Sequence, residues 1–415
     1  MYSGVGVSPL RVCIDARLPG GRFGGVEQAV IGIAAGLSKL DDGEEEFLFL
    51  THPGEDGWIR PYVGGPCRLL PTRRGRLQRR ARAIGRGLAE RAPGVGPRFA
   101  VRVSDGTVER AGADLVHFPI QDAFLTDLPS IYQPHDLLHL HHPEFFSAWE
   151  RERRERIYRT HCERAQLVVA MTSWGKRDLV ERYGLPEEKV GVVPWGSVLW
   201  EYPEPSDEDL GRLRARLSLP EDFLLYPAQT WPHKNHETLL EALALIRRRE
   251  GLDIPLVCPG KRTRFDRIER RLRELDLADT PLFPGFVSPL ELRGLYQLAT
   301  GLVFPSRFEG WGLPICEAFS AGLPVASSSA SSLPDLVGDA GLLFDPDDAE
   351  EIAASVLRLW RDPVLRQTLA ARGRARGELF SFDRTARLFR AHYRRLGRAA
   401  LTEEDRILLA APPLA

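Results

Sequence analysis

Two carboxylates, Glu309 and Glu317, stand eight positions apart in the run Phe308-Glu309-Gly310-Trp311-Gly312-Leu313-Pro314-Ile315-Cys316-Glu317. Gly310 and Gly312 let the backbone approach a ligand closely. Pro314 fits the first position of a helix, where its missing N–H costs nothing. On this reading Glu309 lies in a loop, Glu317 in the first helical turn, and the positive helix end faces a bound anion. Carboxylates for hydroxyl groups beside a phosphate-binding helix end suit a nucleotide sugar. Acidic residues at a helix start also complement the dipole with no ligand at all, so the rest of the chain has to decide.

A second constellation is Tyr226-Pro227-Ala228-Gln229-Thr230-Trp231-Pro232-His233-Lys234-Asn235-His236, which follows an apolar run and enters a helical pattern near Asn235 or His236. Lys234 there adds a full charge to the partial charge of the helix end, a combination that clamps pyrophosphate. Arginine is this chain's ordinary cation. Lysine occurs only at Lys39, Lys176, Lys189, Lys234 and Lys261, which draws attention to one inside a motif. Pro259-Gly260-Lys261-Arg262 ends another strand-like run. Gly20-Gly21-Arg22-Phe23-Gly24-Gly25 follows the first strand-like run, where Gly24 and Gly25 permit close approach to phosphate or acceptor. Gln133-Pro134-His135-Asp136 closes a further run, with Asp136 placed to orient the His135 imidazole.

Two metal readings fail on spacing. His135 and His139 would need a helix to share a face, yet Pro134 and Pro143 break that segment, and His141 and His142 bring no cysteine or carboxylate set. Asp345-Pro346-Asp347 imitates a D-x-D motif but precedes a helical pattern, which points to capping by Asp345 or Asp347. Ser332-Leu333-Pro334-Asp335 is read as structural. No metal and no cofactor are expected.

The run around Glu309 extends through Phe304-Pro305-Ser306-Arg307 before it and Ala318-Phe319-Ser320-Ala321-Gly322-Leu323-Pro324-Val325 after it. Together these resemble the signature of retaining GT-B glycosyltransferases of group 1, family four, and look most like its mannosyltransferase members. The resemblance implies that Glu317 accepts from ribose hydroxyls and that Glu309 meets or positions the donor sugar. Phe308, Gly310, Trp311, Gly312 and Leu313 would form the loop beneath sugar and phosphates. Lys234 and Asn235 would bind the diphosphate, Gly24 and Gly25 would lie beside it, and Phe286 and Val287 would pack near the base. His135 would reach the donor sugar from the first domain. One departure stands out: many relatives have an arginine early in the lysine loop, where this chain has Ala228 and Gln229. His233, Arg262 and Arg307 are the candidates for that missing cation.

The same resemblance implies hexose transfer with retention, by front-face attack in which a leaving phosphate oxygen takes the acceptor's proton. GDP-mannose is favoured as donor ahead of a UDP-hexose; the acceptor is a hydroxyl of a glycan, a lipid-linked glycan or a small molecule. A nucleotide-sugar epimerase on the same scaffold and a non-catalytic nucleotide-sugar-binding subunit are the alternatives.

Positioning these residues requires α/β architecture. Short apolar runs at 11–15, 47–51, 114–118, 130–133, 167–171 and 190–193 alternate with helical patterns such as 26–40 and 174–183. The alternation restarts with strands at 223–226, 254–258, 302–304 and 325–326. The expectation is a GT-B fold, two Rossmann-like domains with parallel sheets facing across a central cleft, at 1–200 and 201–380. A helix at about 381–400, with its core at 382–396, would return to the first domain. A length of 415 residues suits two such domains. A net charge of −1 gives no global field for nucleic acid. Five scattered cysteines without CxxC spacing fit a reducing compartment. No apolar run approaches the roughly 20 residues of a membrane span, and the first residues lack signal-peptide character. The expected location is cytoplasmic. Arginines at 73–91 surround Leu77, Ala81, Ile84 and Leu88 at helical spacing. That stretch reads either as a basic surface for a membrane or lipid phosphate, giving peripheral contact at the inner membrane face, or as a plain packed helix.

Overall fold

In the computed structural model, which describes residues 9–20, 24–72, 101–277 and 280–412, strand and helix alternate through two compact units. The first runs up to Met171, resumes over Lys176–Val193, and takes up the chain again from Phe382; the second holds Thr172–Gly175 and Pro194–Ser381. The basic stretch at 73–91 lies outside the described residues.

The first unit is built on β1 (Arg11–Asp15), β2 (Glu46–Thr51), β3 (Cys67–Pro71), β4 (Leu115–Phe118), β5 (Ser130–Tyr132), β6 (Leu167–Ala170) and β7 (Val190–Val192). They form one parallel sheet in the order β3-β2-β1-β4-β5-β6-β7. β4 and β6 are buried at every residue, as expected of strands covered on both faces by crossover helices. The strand order reverses between β1 and β4, so the loops leaving their carboxyl ends bound a crevice. The helix Gly25–Ser38 packs against the late helix Phe382–Leu396. Gly32 makes that approach possible, since a methyl group there would overlap the Phe382 ring.

The second unit carries β8 (Leu224–Leu225), β9 (Leu256–Pro259), β10 (Pro281–Gly285), β11 (Gly301–Phe304), β12 (Val325–Ser328) and β13 (Gly341–Phe344). These are again parallel, in the order β10-β9-β8-β11-β12-β13. Here the reversal falls between β8 and β11. The chain leaving β8 reaches Lys234, and the chain leaving β11 reaches Glu309. The fold therefore places both at one switch point.

Three local expectations are corrected. The helix after Glu309 is Leu313–Ala321, so Pro314 is its second residue and Glu317 lies beyond its first turn. The shift arises because Gly312, at φ 121, turns the chain before the proline, and its carbonyl accepts from Ile315 N. The helix Ala349–Arg361 is capped by Asp348, whose side chain accepts from Glu350 N and Glu351 N. Asp345 instead accepts from Asp347 N at 2.9 Å, and Asp347 faces Arg307. All five cysteines are free and buried. Among the described residues, no helix is long and apolar enough to cross a membrane.

Candidate active site

Lys234 Nζ donates to Glu309 Oε1 at 2.5 Å, with the two side chains only 20 % and 13 % exposed. The pairing links the loops after β8 and β11. Each partner is fixed from behind. Tyr226, fully buried at the end of β8, donates its hydroxyl to the Lys234 carbonyl at 2.5 Å. The Glu309 backbone is clasped by two serines: Ser331 Oγ accepts from Glu309 N at 2.9 Å, and Ser331 and Ser332 donate to its carbonyl at 3.0 and 2.7 Å. Asn235 is a buried staple. Its Nδ2 donates to the carbonyls of Pro305 and Pro346, and its Oδ1 accepts from Thr238.

Glu317 is 1 % exposed and accepts from the Tyr296 hydroxyl at 2.6 Å. Burial, together with the charge of Glu317 beside it, holds the Tyr296 phenol well above its usual range, so it stays a donor. The helix Leu313–Ala321 and the helix His236–Glu250 both begin without a side-chain cap. By contrast Ser206, Ser288, Asp348 and Asp362 cap other helices of this unit with their side chains. The helix ends next to Glu309 and Lys234 thus present backbone N–H groups with no capping side chain, the arrangement that receives anions.

Of the expected loop residues, Phe308, Trp311 and Leu313 turn their side chains inward and are buried. Phe308 meets Trp174 edge-on at 5.6 Å and Trp311 meets Phe380 at 5.2 Å. Val287 is buried, whereas Phe286 is 70 % exposed. Gly310 lies between Glu309 and Trp311 in the loop. Of the three candidate cations, Arg307 pairs through Nε with Asp347 at 2.6 Å. Arg262 donates to the Phe283 carbonyl and lies over the Phe265 ring at 4.9 Å. His233 sits in the short turn Pro232–Lys234, and its carbonyl accepts from Arg307 N.

His135 and the glycine loop belong to the first unit. His135 follows β5 with φ 72, the left-handed region that non-glycine residues seldom occupy. Its Nε2 donates to the Pro119 carbonyl at 2.7 Å. Burial lowers the imidazole pKa against the opposing effects of that hydrogen bond and Asp136, leaving a neutral ring with its lone pair on Nδ1. Asp136 itself accepts from Leu138 N at 3.0 Å. Gly24, at φ 54, precedes the helix that opens with Gly25, again with no side-chain cap. The nearby histidines separate: His139 faces Glu155, His141 faces Asp178 and His142 faces Glu144. Among the described residues, no three histidine, cysteine or acidic side chains gather as a metal site.

Sequence reasoning missed Tyr296, Ser331 and Pro119, and read Ser332 as structural without linking it to Glu309. Each supports a site residue from a distant element, and none carries a distinctive local pattern.

Two parallel-sheet α/β units, each with its loops gathered at a switch point, define the GT-B class. Residues 23–197 match the model for Glycosyltransferase Family 4, and residues 212–376 match that for Glycosyl transferases group 1. The chain belongs to the group 1, family 4 glycosyltransferases. It is 29 % identical over 266 residues to O-antigen chain mannosyltransferase B of Escherichia coli, covering 61 % of this chain and 70 % of that one. It is 32 % identical over 237 residues to D-inositol 3-phosphate glycosyltransferase of Thermomonospora curvata, covering 53 % of this chain and 55 % of the relative. The crystal structure of Anabaena Alr3699/HepE in complex with UDP and glucose aligns with TM-score 0.69 at 18 % identity, over 92 % of this chain and 99 % of that one.

Proposed function

We propose that this glycosyltransferase moves a hexose, with mannose from GDP-mannose favoured, onto a hydroxyl of a growing glycan with retention at the anomeric carbon. The observation that carries the reading is the Lys234–Glu309 pair at the switch point of the second sheet, beside two helix ends without side-chain caps. The bond between the anomeric carbon and the diphosphate oxygen breaks while the acceptor oxygen bonds to the same face. The acceptor proton passes to a leaving phosphate oxygen. Charge developing on the diphosphate meets the Lys234 ammonium and the N–H groups at the start of Leu313–Ala321. Glu309 orients the sugar, Glu317 receives ribose hydroxyls, and His135 approaches the hexose. No metal has a part in this scheme: Asp347 is paired with Arg307, and Asp345 accepts from the backbone. The likeness to a mannosyltransferase supports the choice of donor, and the word O-antigen in that relative's name supports a glycan acceptor. The cytoplasmic membrane face is where such an acceptor would be met.

Calorimetry with GDP-mannose, UDP-glucose and their diphosphates tests the donor, and proton NMR of the product tests retention. Lys234→Ala is expected to lower donor turnover at least about tenfold; unchanged kinetics in that variant would remove the assignment.

A further inference from the structure

A buried polar chain in the first unit lies outside the reaction just described. His117, in β4, is fully buried against Phe389, with ring centroids 4.6 Å apart. Burial pushes its pKa down to about 3, so the ring is neutral and has one donor and one acceptor nitrogen. Both are engaged. The Tyr393 hydroxyl donates to Nδ1 at 2.7 Å, and Nε2 donates to Gln133 Oε1 at 2.9 Å. Tyr393 belongs to the late helix Phe382–Leu396, and Gln133 lies two residues before His135. Gln133 N also donates to the Phe118 carbonyl at 3.0 Å, one residue before the Pro119 carbonyl that holds His135.

The chain thus ties a helix to β4, which leads into Pro119, and to the segment leaving β5, which leads into His135. Three apolar side chains of equal volume would fill the same space and leave nothing to satisfy. A directional hydrogen-bond chain adds an angular constraint that packing lacks. The left-handed backbone of His135 needs such a constraint, because strained conformations persist only where their surroundings over-determine them.

We infer that Tyr393 is a positioning residue: through His117 and Gln133 it fixes the ends of β4 and β5 and so holds His135 on the Pro119 carbonyl. Its consequence for catalysis rests on the reading of His135 as the group that meets the hexose. Tyr393→Phe deletes one hydroxyl and keeps the ring stacked on Phe389. Gln133→Met breaks the next link and retains the backbone bond to Phe118.

The test is nitrogen-15 NMR of labelled histidines in the full chain, with donor kinetics on the same samples. Both variants are expected to replace the single Nε2–H form of His135 by a tautomer mixture. In both, kcat should fall about tenfold with donor KM changed less than about twofold, and the double variant should be no worse than either single one. An unchanged His135 spectrum in both variants overturns the inference, even if the melting temperature has dropped. A changed spectrum with unchanged turnover upholds the positioning role and instead removes His135 from the reaction.

Discussion

Lys234 and Glu309 neutralise each other before any ligand arrives, and their low exposure limits what water contributes to either charge. A diphosphate carries more negative charge than one carboxylate. It therefore competes with Glu309 for the ammonium, and the energy of the existing pair opposes its binding. Glu309→Gln removes that competitor while preserving the shape of the side chain. The nucleoside diphosphate is expected to bind this variant about threefold to tenfold more tightly, while transfer slows because the sugar loses its orienting acid. Calorimetric titration with the diphosphate alone checks this. Equal or weaker affinity would mean that Lys234 does not receive the phosphates. The residue types at this point, a lone lysine and an acid after a strand, were conspicuous in the sequence. Their mutual contact was not, because 75 positions separate them.

The loop between β11 and the helix Leu313–Ala321 joins strand to site, and Gly312 is its critical joint. At φ 121 it occupies a region closed to ordinary side chains. The sequence reading assigned its small size to ligand approach. The structure adds a packing reason, for a methyl group there would come within 3.0 and 3.1 Å of Leu336 and Leu333. Gly312→Ala is expected to destabilise the protein by about 2 kcal/mol and to displace Glu309 together with its loop. Urea melting and diphosphate titration of one preparation would check both; a wild-type melt would refute the strain argument. Strands were legible where burial on both faces makes them continuous apolar runs, as in β6 and, but for His117, in β4. β3 and β10 escaped notice because Pro71 closes the one while Pro281 opens and Pro284 interrupts the other, and the apolar run of β13 was not taken as a strand. β3 and β10 lie at sheet edges, where a missing N–H is tolerated. The helix after Glu309 was anticipated one residue late, since proline marks a first turn without fixing which of its positions it takes. Tyr296 and Ser331 were invisible for a different reason: ordinary residue types become site supports only once tertiary structure carries them there.

Across the whole molecule, buried histidines are unevenly divided between the units. Burial pushes His117 and His392 down to about 3 and His161 to about 4 in the first unit. In the second, His236 is pushed down to about 3. A folded-state pKa below the unfolded value of 6.5 means that acid protonates the unfolded chain first. The stability involved is fully present above pH 6.5 and declines as the pH falls from there toward the folded values. Each such group contributes a slope of about 1.4 kcal/mol per pH unit, and burial also lowers His135 and His139 in the first unit, so near pH 5 that unit loses stability more steeply than the second. The free cysteines report on each unit separately: Cys13, Cys67 and Cys162 lie in the first, Cys258 and Cys316 in the second, and all are buried. Labelling with a disulfide reagent active in acid, across a urea series at pH 7 and pH 5, reads the two unfolding midpoints. Acidification should move the midpoint of the first three cysteines to lower urea by more than that of the other two. Equal displacement of both sets would show that the buried imidazoles of the first unit do not govern its response to acid.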